Sequence, residues 1–227
     1  MFAFPMPAHA AAPDAQARHA VLVAESLSHL AVTLRAYAQL GQQVQPLEAR
    51  ERLAQGRTDF DGLLAQVLRR IGKQLPDTDT KRLQQRWRAV RDATFTRPSP
   101  EIGALMSDIG EDMAAQLRTL MPSQSYPPLE RAWQRRNLQQ LAKEGLFGCW
   151  RTDLASWAQM TSLQAEFSRW LAGQEKRLSP VSWVQYNAQW NLLTTSLPRE
   201  NGGCTQQAMQ SLVSTTDRLA QMIASMQ

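Results

Sequence analysis

The chain has 227 residues, 43% of them hydrophobic, with a formal charge of +5 and a pI near 9.7. That is enough apolar material for a packed core, which excludes a disordered tail, and no run approaches the ~18–20 apolar residues of a membrane span. Positive charge is spread evenly: residues 1–122 hold 15 Lys/Arg against 13 Asp/Glu, and the remainder 10 against 7. Evenness of this kind argues for a solvated surface and against a nucleic-acid-binding stripe.

The chain opens MFAFPMPAHAAAPDAQ. Ala8-His9-Ala10 followed by Ala11 has the small-x-small pattern of a signal-peptidase site. Residues 1–12 are therefore read as a leader or the remnant of a signal peptide, and the mature chain as soluble and periplasmic.

Helical periodicity runs through nearly all that follows, punctuated by Pro and Gly. A first helix is expected from about Asp14 to Gln43, with Leu27, Leu30, Leu34 and Tyr37 at three- and four-residue spacing. Gly41 and Pro46 end it. A second spans about Leu47–Lys73, with Leu53, Phe60, Leu63, Leu64, Val67 and Ile71 inward. A third spans about Asp79–Phe95, with Leu83, Trp87 and Val90 inward; its crowd of Lys81, Arg82, Arg86, Arg88 and Arg91 reads as a solvated face. Ser99 can cap a fourth helix that starts at Pro100. Its expected inner residues are Ile102, Leu105, Ile109, Met113, Leu117 and Leu120.

The segment Pro122–Pro128 is the clearest break, and the pattern then starts again. A fifth helix runs from Pro128 to about Arg151, with Leu138, Leu141, Ala142, Leu146 and Cys149 on one face. A sixth spans about Asp153–Leu178, with Met160, Leu163, Phe167, Trp170 and Leu171 inward. Ser179-Pro180 opens a seventh, carrying Trp183, Tyr186, Trp190, Leu193 and Leu197. The eighth carries Met209, Leu212, Thr216, Leu219, Ile223 and Met226. Three-four spacing of this kind forms the seam of a bundle.

The two halves align. Phe60-x-x-Leu63-Leu64 and Phe167-x-x-Trp170-Leu171 lie 107 apart, Trp87 and Trp190 lie 103 apart, and Arg35 and Lys143 lie 108 apart. The expected fold is all-α: two tandem antiparallel four-helix bundle units, over residues 13–122 and 128–227. In up-down-up-down topology the end of a first helix lies beside the start of the fourth. Cys149 and Cys204 then meet at one end of the second unit. In an oxidising compartment they form a disulfide worth ~3–4 kcal/mol in the chain-entropy model.

Motifs for catalysis or metal binding do not emerge. The three histidines, His9, His19 and His29, are scattered. No CxxC, HExxH, ExxH, GxSxG or Gly-rich phosphate loop occurs, so no metal, no cofactor and no enzyme activity are expected. The tryptophans and methionines fall mostly at seam positions and read as core.

Residues 133–143, WQRRNLQQLAK, resemble the first-helix motif of the helical input domain of type IV pilus chemotaxis transducers (PilJ-type), often R-Q-R-M-L-S-Q-R-x-A-K. Gln134, Arg135, Gln139, Ala142 and Lys143 match; Arg136, Asn137 and Gln140 depart from it. The resemblance covers most of residues 128–227, and the first half only in outline, with Leu27 in the place of Arg135. The same fold serves the periplasmic sensor region of nitrate/nitrite histidine kinases (NarX-like). There a first-helix arginine from each subunit of a dimer holds the anion. The resemblance thus implies a non-catalytic sensory module with Arg135, Gln134, Gln139 and Lys143 as ligand-binding residues. Its implied partners are a small anion such as nitrate or nitrite, a membrane receptor or partner protein, and a second copy of the chain. The alternative is a structural or adaptor bundle that binds a partner protein through an exposed helix face and takes no small ligand.

Overall fold

Two long helices lie side by side at the centre. Helix α1 spans Ala11–Gly41 and α5 spans Pro127–Arg151, and they form the most extensive helix pair in the molecule. Around them stand α2 (Pro46–Ile71), α3 (Asp77–Ala93), α4 (Pro100–Arg118), α6 (Leu154–Gln174), α7 (Pro180–Ser196) and α8 (Gln206–Ala224). The computed structural model describes residues 11–71, 75–121, 126–151, 154–198 and 203–226, with side chains from residue 17. The chain is all-α, with no strand among the described residues. No described helix is long and apolar enough to cross a membrane. The expected leader falls largely outside the described residues, and α1 begins at Ala11, three residues before the expected Asp14.

Local chemistry sets several helix ends. The Ser99 hydroxyl accepts from the Ile102 amide (3.3 Å) and Pro100 occupies the first turn of α4. Ser179 does the same for Ser182 (3.1 Å) ahead of Pro180 in α7, and Thr205 for Ala208 (3.1 Å) in α8. Such caps satisfy amides that have no partner inside the helix.

Packing follows the sequence in a simple order. Helix α1 lies against α2, α4 and α5; α3 lies against α4; α5 lies against α6 and α8; α7 lies against α8. One apolar cluster joins Leu27, Leu34, Phe60, Trp87, Met106 and Met113 of α1–α4, and it also takes in Leu146 and Phe147 of α5 and Met209 and Val213 of α8. A second joins Leu138, Leu141, Phe167, Trp190, Leu193, Leu212 and Ile223 of α5–α8. The first cluster thus reaches across the α1–α5 pair.

The inner face of α4 differs from expectation. Leu105 is 57% exposed, while Gly103, Met106, Ser107 and Gly110 are buried. A Cβ on Gly103 would lie 2.9 Å from the Trp150 ring and 3.0 Å from Phe147. The helix turns its small residues inward because close approach to α5 requires them; a stripe of large residues would hold it away.

The Cys149–Cys204 disulfide forms with Cα atoms 5.5 Å apart. It ties the last turn of α5 to the residue just before the N-cap of α8.

Candidate functional site

Every residue of α5 from Arg136 to Gly148 is buried, yet Arg136, Asn137, Gln139, Gln140, Lys143 and Glu144 lie in that stretch. A helix enclosed on all sides is normally apolar all round. This one carries a polar ladder into the interior, and buried polar groups must find partners there.

Lys143, nearly inaccessible, places Nζ 2.9 Å from Glu111 Oε1 of α4 and 2.9 Å from Glu144 Oε1. Gln140 Nε2 donates to the same two oxygens at 2.6 and 2.7 Å. Burial would raise the Glu111 pKa, but the charge of Lys143 and the hydrogen bonds from Lys143 and Gln140 reverse this and hold it below the ordinary carboxylate value. One turn back, Arg136 lies over the Trp133 ring (5.1 Å), which Arg118 also faces (5.8 Å). Burial and then the repulsion of Arg118 pull the Arg136 guanidinium down to about 10, against the opposing pull of Glu111, Glu166 and Glu144. Asn137 accepts from Arg136 (3.0 Å) and donates to Glu166 (2.7 Å), which also accepts from Trp133 (3.2 Å).

A second charged group sits on the other side of the central pair. Arg35 of α1, also buried, donates to Asp217 Oδ1 of α8 at 2.9 Å. Arg52 of α2 pairs with Asp217 Oδ2 at 2.6 Å. Burial lowers the Arg35 pKa, and Asp217 partly offsets it. The arrangement is reciprocal. The cation of α1 reaches an acid on α8, and the cation of α5 reaches an acid on α4. Arg35 and Lys143 lie 108 apart in sequence; Glu111 and Asp217 lie 106 apart.

The expected ligand residues divide among different surroundings. Arg135 lies at the rim of the α1–α5 seam, partly exposed, and donates to Glu25 Oε1 of α1 at 3.0 Å. Gln134 and Gln139 are buried, and the side-chain oxygen of each has no hydrogen-bond partner among the described residues. Lys143 belongs to the Glu111–Glu144 group. Eight residues, a rise of about 12 Å, separate it from Arg135, so the two cations do not converge on one ligand. The acids Glu25, Glu111 and Glu144 and the cation Arg136 were not singled out by sequence reasoning. For Glu111 a signal existed: it stands in the first half where Asp217 stands in the second.

Cavities among the described residues lie elsewhere, and two of them belong to the second half. One of about 540 Å³ opens at the end of α5–α8, walled by Glu130, Arg131, Trp170, Arg177, Tyr186 and Met226. Another of about 320 Å³ lies between α6 and α7, walled by Trp157, Met160, Gln164, Thr194, Leu197 and Pro198. Neither includes Arg135, Gln134, Gln139 or Lys143. The basic residues of α3 are largely paired, Arg86 with Asp112 (2.9 Å) and Arg91 with Asp61 (3.9 Å). Among the described residues no three His, Cys, Asp or Glu side chains are grouped as metal ligands.

The chain matches no protein-family model, no curated protein sequence and no solved structure.

Proposed function

We propose that the chain is a non-catalytic binding module of PilJ-type build: two four-helix units joined through their first helices, exported to the periplasm, with its ligand region at the α1–α5 seam. The two-unit reading draws support from the central position of α1 and α5 and from the reciprocal Arg35–Asp217 and Lys143–Glu111 pairs. The disulfide supports an oxidising compartment.

The Arg135–Glu25 pair carries the functional reading. In the family that the chain resembles, an anion sits between first helices contributed by two subunits. Here α1 and α5 supply both helices from one chain, and a carboxylate of α1 meets the arginine of α5. A guanidinium fork suits a planar anion as well as it suits a carboxylate. Nitrate or nitrite would then bind Arg135 by displacing Glu25, and the native pair sets a threshold against weak binding.

Thermal shift and calorimetry with nitrate, nitrite and other small anions test this on three proteins. Wild type should respond weakly. Glu25→Gln should show an anion-dependent rise in Tm, because its guanidinium has lost its carboxylate. Adding Arg135→Ala to Glu25→Gln should abolish the response. If Glu25→Gln is silent toward every anion, Arg135 is a structural arginine and the reading fails.

A further inference from the structure

The outer helices of the two halves differ sharply in charge. Helices α2 and α3 carry 17 Asp, Glu, Lys and Arg in 43 residues; α6 and α7 carry two, Glu166 and Arg169, in 38. Helix α7 has none. A solvated helix in a chain that is 20% charged should resemble α2 and α3. Its inner face is buried through Tyr186, Trp190 and Leu193. The outer face is uncharged and carries an apolar line: Val181 is 69% exposed, Val184 64% and Leu192 49%, with exposed Ala188 between them. The spacing of three, four and four sets these residues in one line along the helix.

We propose that this face of α7 pairs with the same face of a second copy of the chain, antiparallel and about a two-fold axis at Ala188. The order of residues carries the argument. Val184 and Leu192 lie four residues to either side of Ala188, Gln185 and Asn191 three, and Val181 and Thr195 seven. All six are exposed. A two-fold contact requires residue i to meet residue j and j to meet i. Centred on Ala188, it sets Val184 against Leu192 and Val181 against Thr195, twice each. It also sets Gln185 against Asn191, two amides that can both donate and accept. The small side chain at the centre lets the helices approach.

Charge favours this occupant over others. A chain of net charge +5 meets its own copy without like-charge contact only through an uncharged face. The face offers no Lys or Arg to anionic headgroups, so a lipid surface is a poor match. The groove between α6 and α7 adds uncharged surface beside α7, and the flanking helix α6 exposes Leu154. A helix of 17 residues is about 25 Å long. With the flank of α6, the contact buries on the order of 1,000 Å² in total, the lower bound for a specific interface. The dimer is therefore weak and concentration-dependent.

Sedimentation velocity of the full chain, from about 1 µM to about 1 mM, should show a monomer–dimer equilibrium. Val184→Lys alone and Leu192→Glu alone should each weaken it by about tenfold or more, with unchanged circular dichroism and Tm. The double variant Val184→Lys/Leu192→Glu should recover dimer, because the two-fold places each lysine against the partner's glutamate. Eight residues separate the two positions within one helix, too far for them to pair there. Ala188→Cys should cross-link to itself on mild oxidation. A chain that stays monomeric at the highest concentration overturns the proposal, and so does a dimer that neither single substitution weakens. None of these measurements involves an anion, so failure here and failure at Arg135 are separate results.

Discussion

Lys143 is closed to solvent and paired with two carboxylates, and this sets its energetic role. Removing one member of a buried charge group leaves the others unpaired, which costs more than the group itself contributes. Lys143→Met should lower the unfolding free energy by about 3–5 kcal/mol in urea titrations. Glu111 adds a pH signature. Its folded pKa is depressed, so its contribution is complete above the ordinary carboxylate pKa and is lost as pH falls through the folded value. Stability measured from about pH 5 down to about pH 2 should therefore fall less steeply in Glu111→Gln than in wild type. At this scale the sequence announced the cations and hid their partners. Arg135 and Lys143 stand in a recognisable motif, but Glu25 and Glu111 lie 110 and 32 residues away from them. Gln134 and Gln139 are expected ligand residues by resemblance, but that they and Gln140 are interior follows from the helices packed around α5, which their polar character does not reveal.

Helices were the most legible feature. Three-four spacing and the Ser-Pro caps at Ser99 and Ser179 give all eight, with ends a few residues off. The faces were less legible. Reading large apolar residues as inward placed Leu105 in the core, where α4 instead presents glycine and methionine. The same habit recorded the inner stripe of α7 and passed over Val181, Val184 and Leu192. Small residues do similar work in α5. A Cβ on Gly145 would meet Leu212 Cδ2 at 2.7 Å, and Met160 and Pro198 at 3.4 Å. Gly145→Val should thus destabilise by about 1–3 kcal/mol through overpacking, despite the usual cost of glycine in a helix. Thermal unfolding followed by circular dichroism would register the loss.

At the scale of the whole molecule, the break at Pro122–Pro128 suggested two adjoining bundles. What the sequence did not disclose is that one apolar cluster runs through both halves, from Phe60 of α2 to Val213 of α8. Contacts between residues more than a hundred positions apart leave no periodic trace. The shared interior predicts that a protease site inserted between α4 and α5, once cut, leaves the halves bound together. Size-exclusion chromatography of the cut protein should match the intact one, and separation should require denaturant. The disulfide was legible because it depends only on helix order: the end of α5 and the start of α8 must coincide in an up-and-down arrangement.

The Arg35–Asp217 pair also orders events in time. Its partners are 182 residues apart. At about 5–20 residues per second, the ribosome makes Asp217 roughly 10–35 s after Arg35. Through that interval the growing chain holds a buried-to-be arginine whose counter-ion does not yet exist, toward the C-terminal end of its first helix. The Lys143–Glu111 pair has no such delay, since the acid is made first. Helix α1 can therefore finish docking only when α8 has been synthesised, and the last helix of the chain completes the burial of the first.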